Sequence, residues 1–118
     1  MQRLYVEKRK SPRLDTSGRS SFRIVIYSVK GKPVEDNQIV NLSLGGVAFR
    51  GSFRNIVQSL KRITTHVEIK LPNGLTLPAE TTLLRIKPIR HQDDCLCVFQ
   101  LTDMSKKSSS RLARFIPD

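Results

Sequence analysis

The sequence predicts a small antiparallel β-barrel followed by a C-terminal helix. Three observations lead there. Short runs of β-branched and aromatic residues recur along 118 residues, separated by hairpin-length turns. The last apolar cluster changes to helical spacing. With 38% hydrophobic residues the chain can fill one core, and its length leaves no room for a second.

Residues 1–20 carry few large apolar side chains, and Ser11-Pro12 and Ser17-Gly18 are turn chemistry. They read as an arm leading into the barrel, which spans 21–104, with the helix in 105–118. Ser21 to Val29 is the first strong strand. Phe22, Ile24 and Ile26 fall on one face of it. Gly31-Lys32-Pro33 forms a turn, and strand character returns at Ile39 to Leu42. A Gly45-Gly46 corner leads to Val47-Ala48-Phe49.

Apolar positions 53, 56, 57 and 60 have helical spacing, so 53–62 reads as a short helix or as a connecting segment with one helical turn. His66 to Leu71 alternates with period two, Pro72-Asn73-Gly74 turns the chain, and Leu75 to Glu80 returns. Pro78 marks an edge or a bulge, because it cannot donate to a ladder. The run continues through Thr81 to Ile86. After a polar loop, Cys95 to Leu101 forms another strand with Cys95, Cys97, Phe99 and Leu101 on one face. Leu112, Phe115 and Ile116 recur at i, i+3, i+4, predicting a helix from about Ser105 to before Pro117.

Composition excludes several classes. No run of about 18 apolar residues exists to span a membrane. The charged stretch Met1 to Lys10 lacks the apolar core of a secretory signal, so a cytoplasmic domain is expected. Cys95 and Cys97 are too few for a disulfide framework, and with His91 they make a poor metal set; they read as small buried hydrophobes. No Ser/His/Asp order, phosphate-binding glycine loop or close carboxylate pair in apolar surroundings suggests an enzyme. Asp93-Asp94 reads as a polar loop, and His66 and His91 are far apart.

Charge is the strongest bulk signal. Lys and Arg number 21 against 10 acids, a net charge of +11. Residues 1–32 hold nine basic residues against Glu7 and Asp15, which is seven of those eleven charges. Such a segment calls for an anionic partner, whether nucleic acid, a membrane surface or a phosphorylated small molecule, or else is a solvated basic tail that aids solubility. A basic β-barrel binding RNA or single-stranded DNA is the alternative reading. Barrels of that kind stack bases on surface aromatics. This chain has no Trp and two Tyr, and most of its five Phe sit in core-like patterns.

Two motifs carry chemistry. Arg9-Lys10-Ser11-Pro12-Arg13 places two arginines four apart in the basic arm, where Pro12 prevents a helix. The guanidinium fork grips phosphate oxygens or the O6/N7 edge of guanine bidentately. Asn41-Leu42-Ser43-Leu44-Gly45-Gly46 ends a strand. Alternation puts Asn41 and Ser43 on one side, and leaves Leu42 and Leu44 for the core. The glycines let the backbone bend and a ligand come close; the plain structural reading is a capped turn at a bulge.

In this order and spacing the motifs resemble the PilZ domain family. That family carries Arg-x-x-x-Arg in an N-terminal arm and (Asp/Asn)-x-Ser-x-x-Gly about thirty residues later. Here these are Arg9 and Arg13, then Asn41, Ser43 and Gly46. The Ser21–Val29 strand, the Leu71-Pro72-Asn73-Gly74 hairpin, the Val98–Leu101 strand and the Arg114-Phe115-Ile116 segment extend the likeness over 5–116.

The resemblance implies a six-stranded antiparallel barrel with a C-terminal helix that binds cyclic di-GMP. Arg9 and Arg13 would clamp the ligand, flanked by Lys8 and Lys10, and Asn41, Ser43, Gly45 and Gly46 would form the platform. Asn41 is the amide variant of its position: it keeps a carbonyl acceptor without adding charge beside a dianion. No cofactor is implied. With no output domain in the sequence, the chain is expected to act through a protein partner, or to come from a longer protein. Arg54, Lys61, Arg62, Arg111 and Arg114 are candidates for such docking or for contact with a membrane surface.

Overall fold

The computed structural model describes residues 13–28, 30–59, 64–89 and 93–116, with the backbone alone of 57–59. Among the described residues, seven strands and two helices follow in order: β1 (Leu14–Asp15), β2 (Arg23–Tyr27), β3 (Pro33–Leu42), β4 (Gly46–Ser52), α1 (Phe53–Ser59), β5 (Thr65–Lys70), β6 (Thr76–Pro88), β7 (Asp94–Asp103) and α2 (Lys106–Ala113). Six strands run antiparallel in the order β3-β2-β5-β6-β7-β4, and β4 pairs back onto β3 to close the barrel. The two-residue β1 pairs with the Asn41–Leu42 end of β3, beyond the stretch of β3 that pairs with β2.

The interior follows the pleat. β4 turns Val47 and Phe49 inward, and β7 turns in Cys95, Cys97 and Phe99. Phe22, Ile24, Ile26, Ile39 and Ile69 complete a dry centre, and all of these are fully buried save Val47 at 1% exposure. Phe49 and Phe99 meet edge to face with ring centroids 5.2 Å apart. The Cys95 and Cys97 sulfurs lie 3.5 Å apart in this core, and burial pushes the Cys97 thiol pKa up.

The hairpin at 71–75 forms as expected. Gly74 takes φ +86°, its N–H bonds to Leu71, and the Asn73 side chain accepts from the N–H of Leu75. Pro78 pairs with β5 opposite Glu68, in the part of β6 that precedes its pairing with β7. It therefore meets the edge expectation but sits at no bulge. His66 is held by Glu80 across the strands, Nδ1 to Oε2 2.6 Å.

Several segments differ from expectation. β3 begins at Pro33 rather than Ile39. Its polar stretch is held by pairing to β2 and by side-chain bonds: Asp36 bridges Arg23, and Glu35 accepts from the Asn55 side chain and the Ser52 N–H. Residues 14–20, expected in the arm, are bound to the barrel. Thr16 is fully buried, donating its hydroxyl to Ile39 O and its N–H to Val40 O. Leu44 and Phe53 are exposed rather than core residues.

Helix α1 forms where predicted, and residues 60–62 of that prediction lie outside the described residues. Asp93, expected to be an ordinary loop residue, caps this helix. It accepts from the Arg54 N–H and the Ser52 hydroxyl, which hold its carboxyl below the usual range. α2 starts from its N-cap Ser105 as expected, and then tightens into i→i−3 bonds over Arg114 to Ile116. Leu112 and Ile116 join the core, and Phe115 meets Phe22 edge-on at 6.1 Å.

Candidate functional site

A cavity of about 350 Å³ opens on the outside of the barrel, over β3, β4, β7 and β6. Ala48 and Val98, paired across β4 and β7, form its floor. Asn41 of β3 stands on one side. Leu84 and Arg85 of β6 stand on the other.

Asn41 faces outward because of a bulge. Ile39 pairs with Phe49 and Asn41 with Ala48, leaving Val40 as the extra residue. Strict alternation from the buried Ile39 would have turned Asn41 into the core and Leu42 out. The extra residue lets Ile39 and Leu42 both be buried while Asn41 reaches the outer wall. Its Oδ1 is buried and has no hydrogen-bond donor among the described residues.

Arg13 reaches the cavity through β1. Leu14 pairs with Leu42 and Asp15 with Asn41, so Arg13 lies one step further, beside Ser43. Arg13 and Arg85 both line the cavity, and among the described residues no carboxylate does. Arg9, Lys8 and Lys10 lie outside the described residues.

Ser43, Gly45 and Gly46 form the lip. The Ser43 hydroxyl accepts from the N–H groups of Gly45 (3.2 Å) and Gly46 (3.1 Å), while its own N–H donates to Gly46 O. Ser43 therefore shapes the turn that carries the site. Gly46 has a packing reason: a Cβ there would lie 3.0 Å from the carbonyl oxygen of Phe99. Without a side chain at this point, β4 can start against β7 and the cavity keeps its open lip. Ser43→Ala is expected to lower the melting temperature by a few degrees, since it removes about 1 kcal/mol of turn hydrogen bonding. A thermal melt checks this; an unchanged midpoint would mean the hydroxyl does not hold the turn.

The sequence motifs thus meet at one place, with Arg13, Asn41, Ser43, Gly45 and Gly46 around one cavity. Sequence reasoning missed Leu84 and Arg85. They lay inside an unremarkable strand run, and only the bulge between Leu83 and Arg85 turns them to this surface.

Among solved structures, the chain is similar to the Bacillus subtilis inhibitor of motility (MotI/DgrA). The TM-score is 0.66 at 13% identity, over 92% of this chain and 49% of that one. The chain spans about half the length of that neighbour, and at this identity the likeness is one of fold. No protein of curated function matches the chain in sequence. The match to the PilZ domain, a family that binds cyclic di-GMP, covers residues 7–117, nearly the whole sequence and both of its motifs. On that match, and on a closed six-stranded barrel with a C-terminal helix, the chain belongs to the PilZ domain family.

Proposed function

We propose that this chain is a cyclic di-GMP sensor domain. The observation that carries the reading is the meeting of Arg13 with Asn41 and the Ser43–Gly46 turn around one cavity that no carboxylate among the described residues lines. A dianionic guanine dinucleotide suits that chemistry. Arginine supplies paired donors to phosphate or to guanine O6/N7. The unpaired acceptor of Asn41 suits a guanine N–H edge once the amide turns toward the ligand, and an orphaned buried acceptor costs about 1–3 kcal/mol until it finds a donor. The hydrophobic floor of Ala48 and Val98 suits the face of a base.

In this reading the domain binds and does not catalyse. Arg9, with Lys8 and Lys10, closes over the ligand from the arm. Four cations within residues 8–13 repel one another until a dianion neutralises them, so ligand binding orders the arm. A protein partner in the cytoplasm then reads its new position.

Calorimetry with cyclic di-GMP, cyclic di-AMP, GMP and GTP tests the ligand. Preference for cyclic di-GMP is expected; no heat, or equal affinity for cyclic di-AMP, would overturn the reading. Amide hydrogen exchange over residues 5–12, ahead of the paired β1, tests the switch. Protection should rise with ligand, and equal protection in both states would refute the ordering of the arm.

A further inference from the structure

Two bulges face each other across the cavity. The one at Val40 serves Asn41. The other, in β6, has no counterpart among the sequence motifs. Leu83 pairs with Phe99 and Arg85 with Val98, so Leu84 is the extra residue. A bulge breaks alternation and re-aims side chains, and bulges recur beside binding sites. Here it turns two consecutive side chains to the cavity. Leu84 is 60% exposed, the most exposed large hydrophobic side chain among the described residues. Arg85 is exposed too, and has no carboxylate partner among the described residues although Asp94 and Asp103 end the neighbouring β7.

An unpaired arginine and a bare leucine side by side, across from Arg13 and Asn41, make little sense for an empty wall. Two guanidinium groups lining one small cavity repel each other unless an anion lies between them. We propose that Leu84 and Arg85 form the second wall of the nucleotide site. Arg85 donates its fork to a ligand phosphate, from the side opposite Arg13 and Asn41. Leu84 covers the apolar face of a base. This inference rests on the reading of the cavity as a cyclic di-GMP site, and adds to it residues that come from β6 rather than from the arm or the β3–β4 turn. It also makes the pocket two-sided within the barrel itself, since β6 is paired on both edges of its run by β5 and β7.

The test measures cyclic di-GMP affinity by calorimetry on the whole chain, for the parent and for Arg85→Ala, Arg85→Lys, Leu84→Ala, Lys87→Ala and Arg13→Ala. Lys87, two residues on along β6, is exposed and does not line this cavity, so it controls for loss of one positive charge. Arg85→Ala is expected to weaken binding about tenfold to a hundredfold. Arg85→Lys should recover part of that loss, because it keeps the charge without the fork. Leu84→Ala should weaken binding severalfold, and Lys87→Ala should leave it within about twofold. Melting temperatures should match the parent, since both side chains are exposed; Arg85→Lys keeps the test valid if alanine disturbs the bulge. If Arg13→Ala loses binding while Arg85→Ala and Leu84→Ala bind like the parent, the second wall is refuted and the ligand reading stands. If Arg85→Ala and Lys87→Ala lose equally, a diffuse charge effect replaces the contact and the proposal falls. A parent chain that binds no cyclic di-GMP overturns the ligand reading itself.

Discussion

Arg13→Ala should remove most of the affinity for cyclic di-GMP, by about 3 kcal/mol or roughly a hundredfold. Arg13 is anchored at the cavity by its neighbours: Leu14 and Asp15 pair with Leu42 and Asn41, and Thr16 is buried against β3. The Arg13 backbone is thus placed beside Ser43 before the ligand arrives, and little of its bond energy goes into ordering the chain behind it. Arg9→Ala should cost a comparable amount if the arm closes over the ligand. A surface change such as Lys70→Ala, at an exposed position paired with Arg23 and Thr76, should leave affinity within about twofold. Calorimetry under one salt condition decides between them. Equal losses for Arg13→Ala and Lys70→Ala would mean that net charge, not the site, binds the nucleotide.

The largest stability effect should come from Phe99→Ala. Phe99 is fully buried, meets Phe49 edge to face, and sits opposite Val47 and Leu83 on the two flanking strands. Emptying that volume in a closed barrel leaves a cavity that the surrounding strands cannot readily fill, so a loss of about 3–5 kcal/mol is expected. For a domain of this size that lowers the melting temperature by roughly 10–30 °C. The candidate site should suffer as well. The Phe99 carbonyl packs against Gly46, and Val98 is part of the cavity floor. Scanning calorimetry checks the midpoint. A shift of only a few degrees would mean the barrel collapses onto the missing ring and its core is far looser than its burial indicates.

The fold was legible where period and turn chemistry agree. Phe22-x-Ile24-x-Ile26 and Cys95-x-Cys97-x-Phe99 announce buried faces, Pro72-Asn73-Gly74 announces a hairpin, and Ser105 starts the last helix, because these signals act within a few residues. The polar start of β3 was illegible for the opposite reason. Nothing local makes Glu35-Asp36-Asn37-Gln38 a strand; pairing to β2, the Arg23–Asp36 bridge and the bonds of Glu35 to Ser52 and Asn55 do so from a distance. Asp93 likewise looked like loop because its role, capping α1, depends on a helix some forty residues earlier in the chain.

The same division runs through the site. Arg9, Arg13, Asn41, Ser43 and Gly46 are a pattern of residue types and spacing, and the sequence alone determined it, together with the family and the barrel that the family implies. The sequence could not determine which way Asn41 points. Alternation from Ile39 and alternation from Leu42 give opposite answers, and only the bulge at Val40 reconciles them. Nor could it select Arg85 from among 21 basic residues. A bulge is a mismatch between two paired strands, so it exists only once β6 lies against β7. Register across a closed barrel is set by every strand at once, and that is why the second wall of the cavity belongs to the tertiary structure.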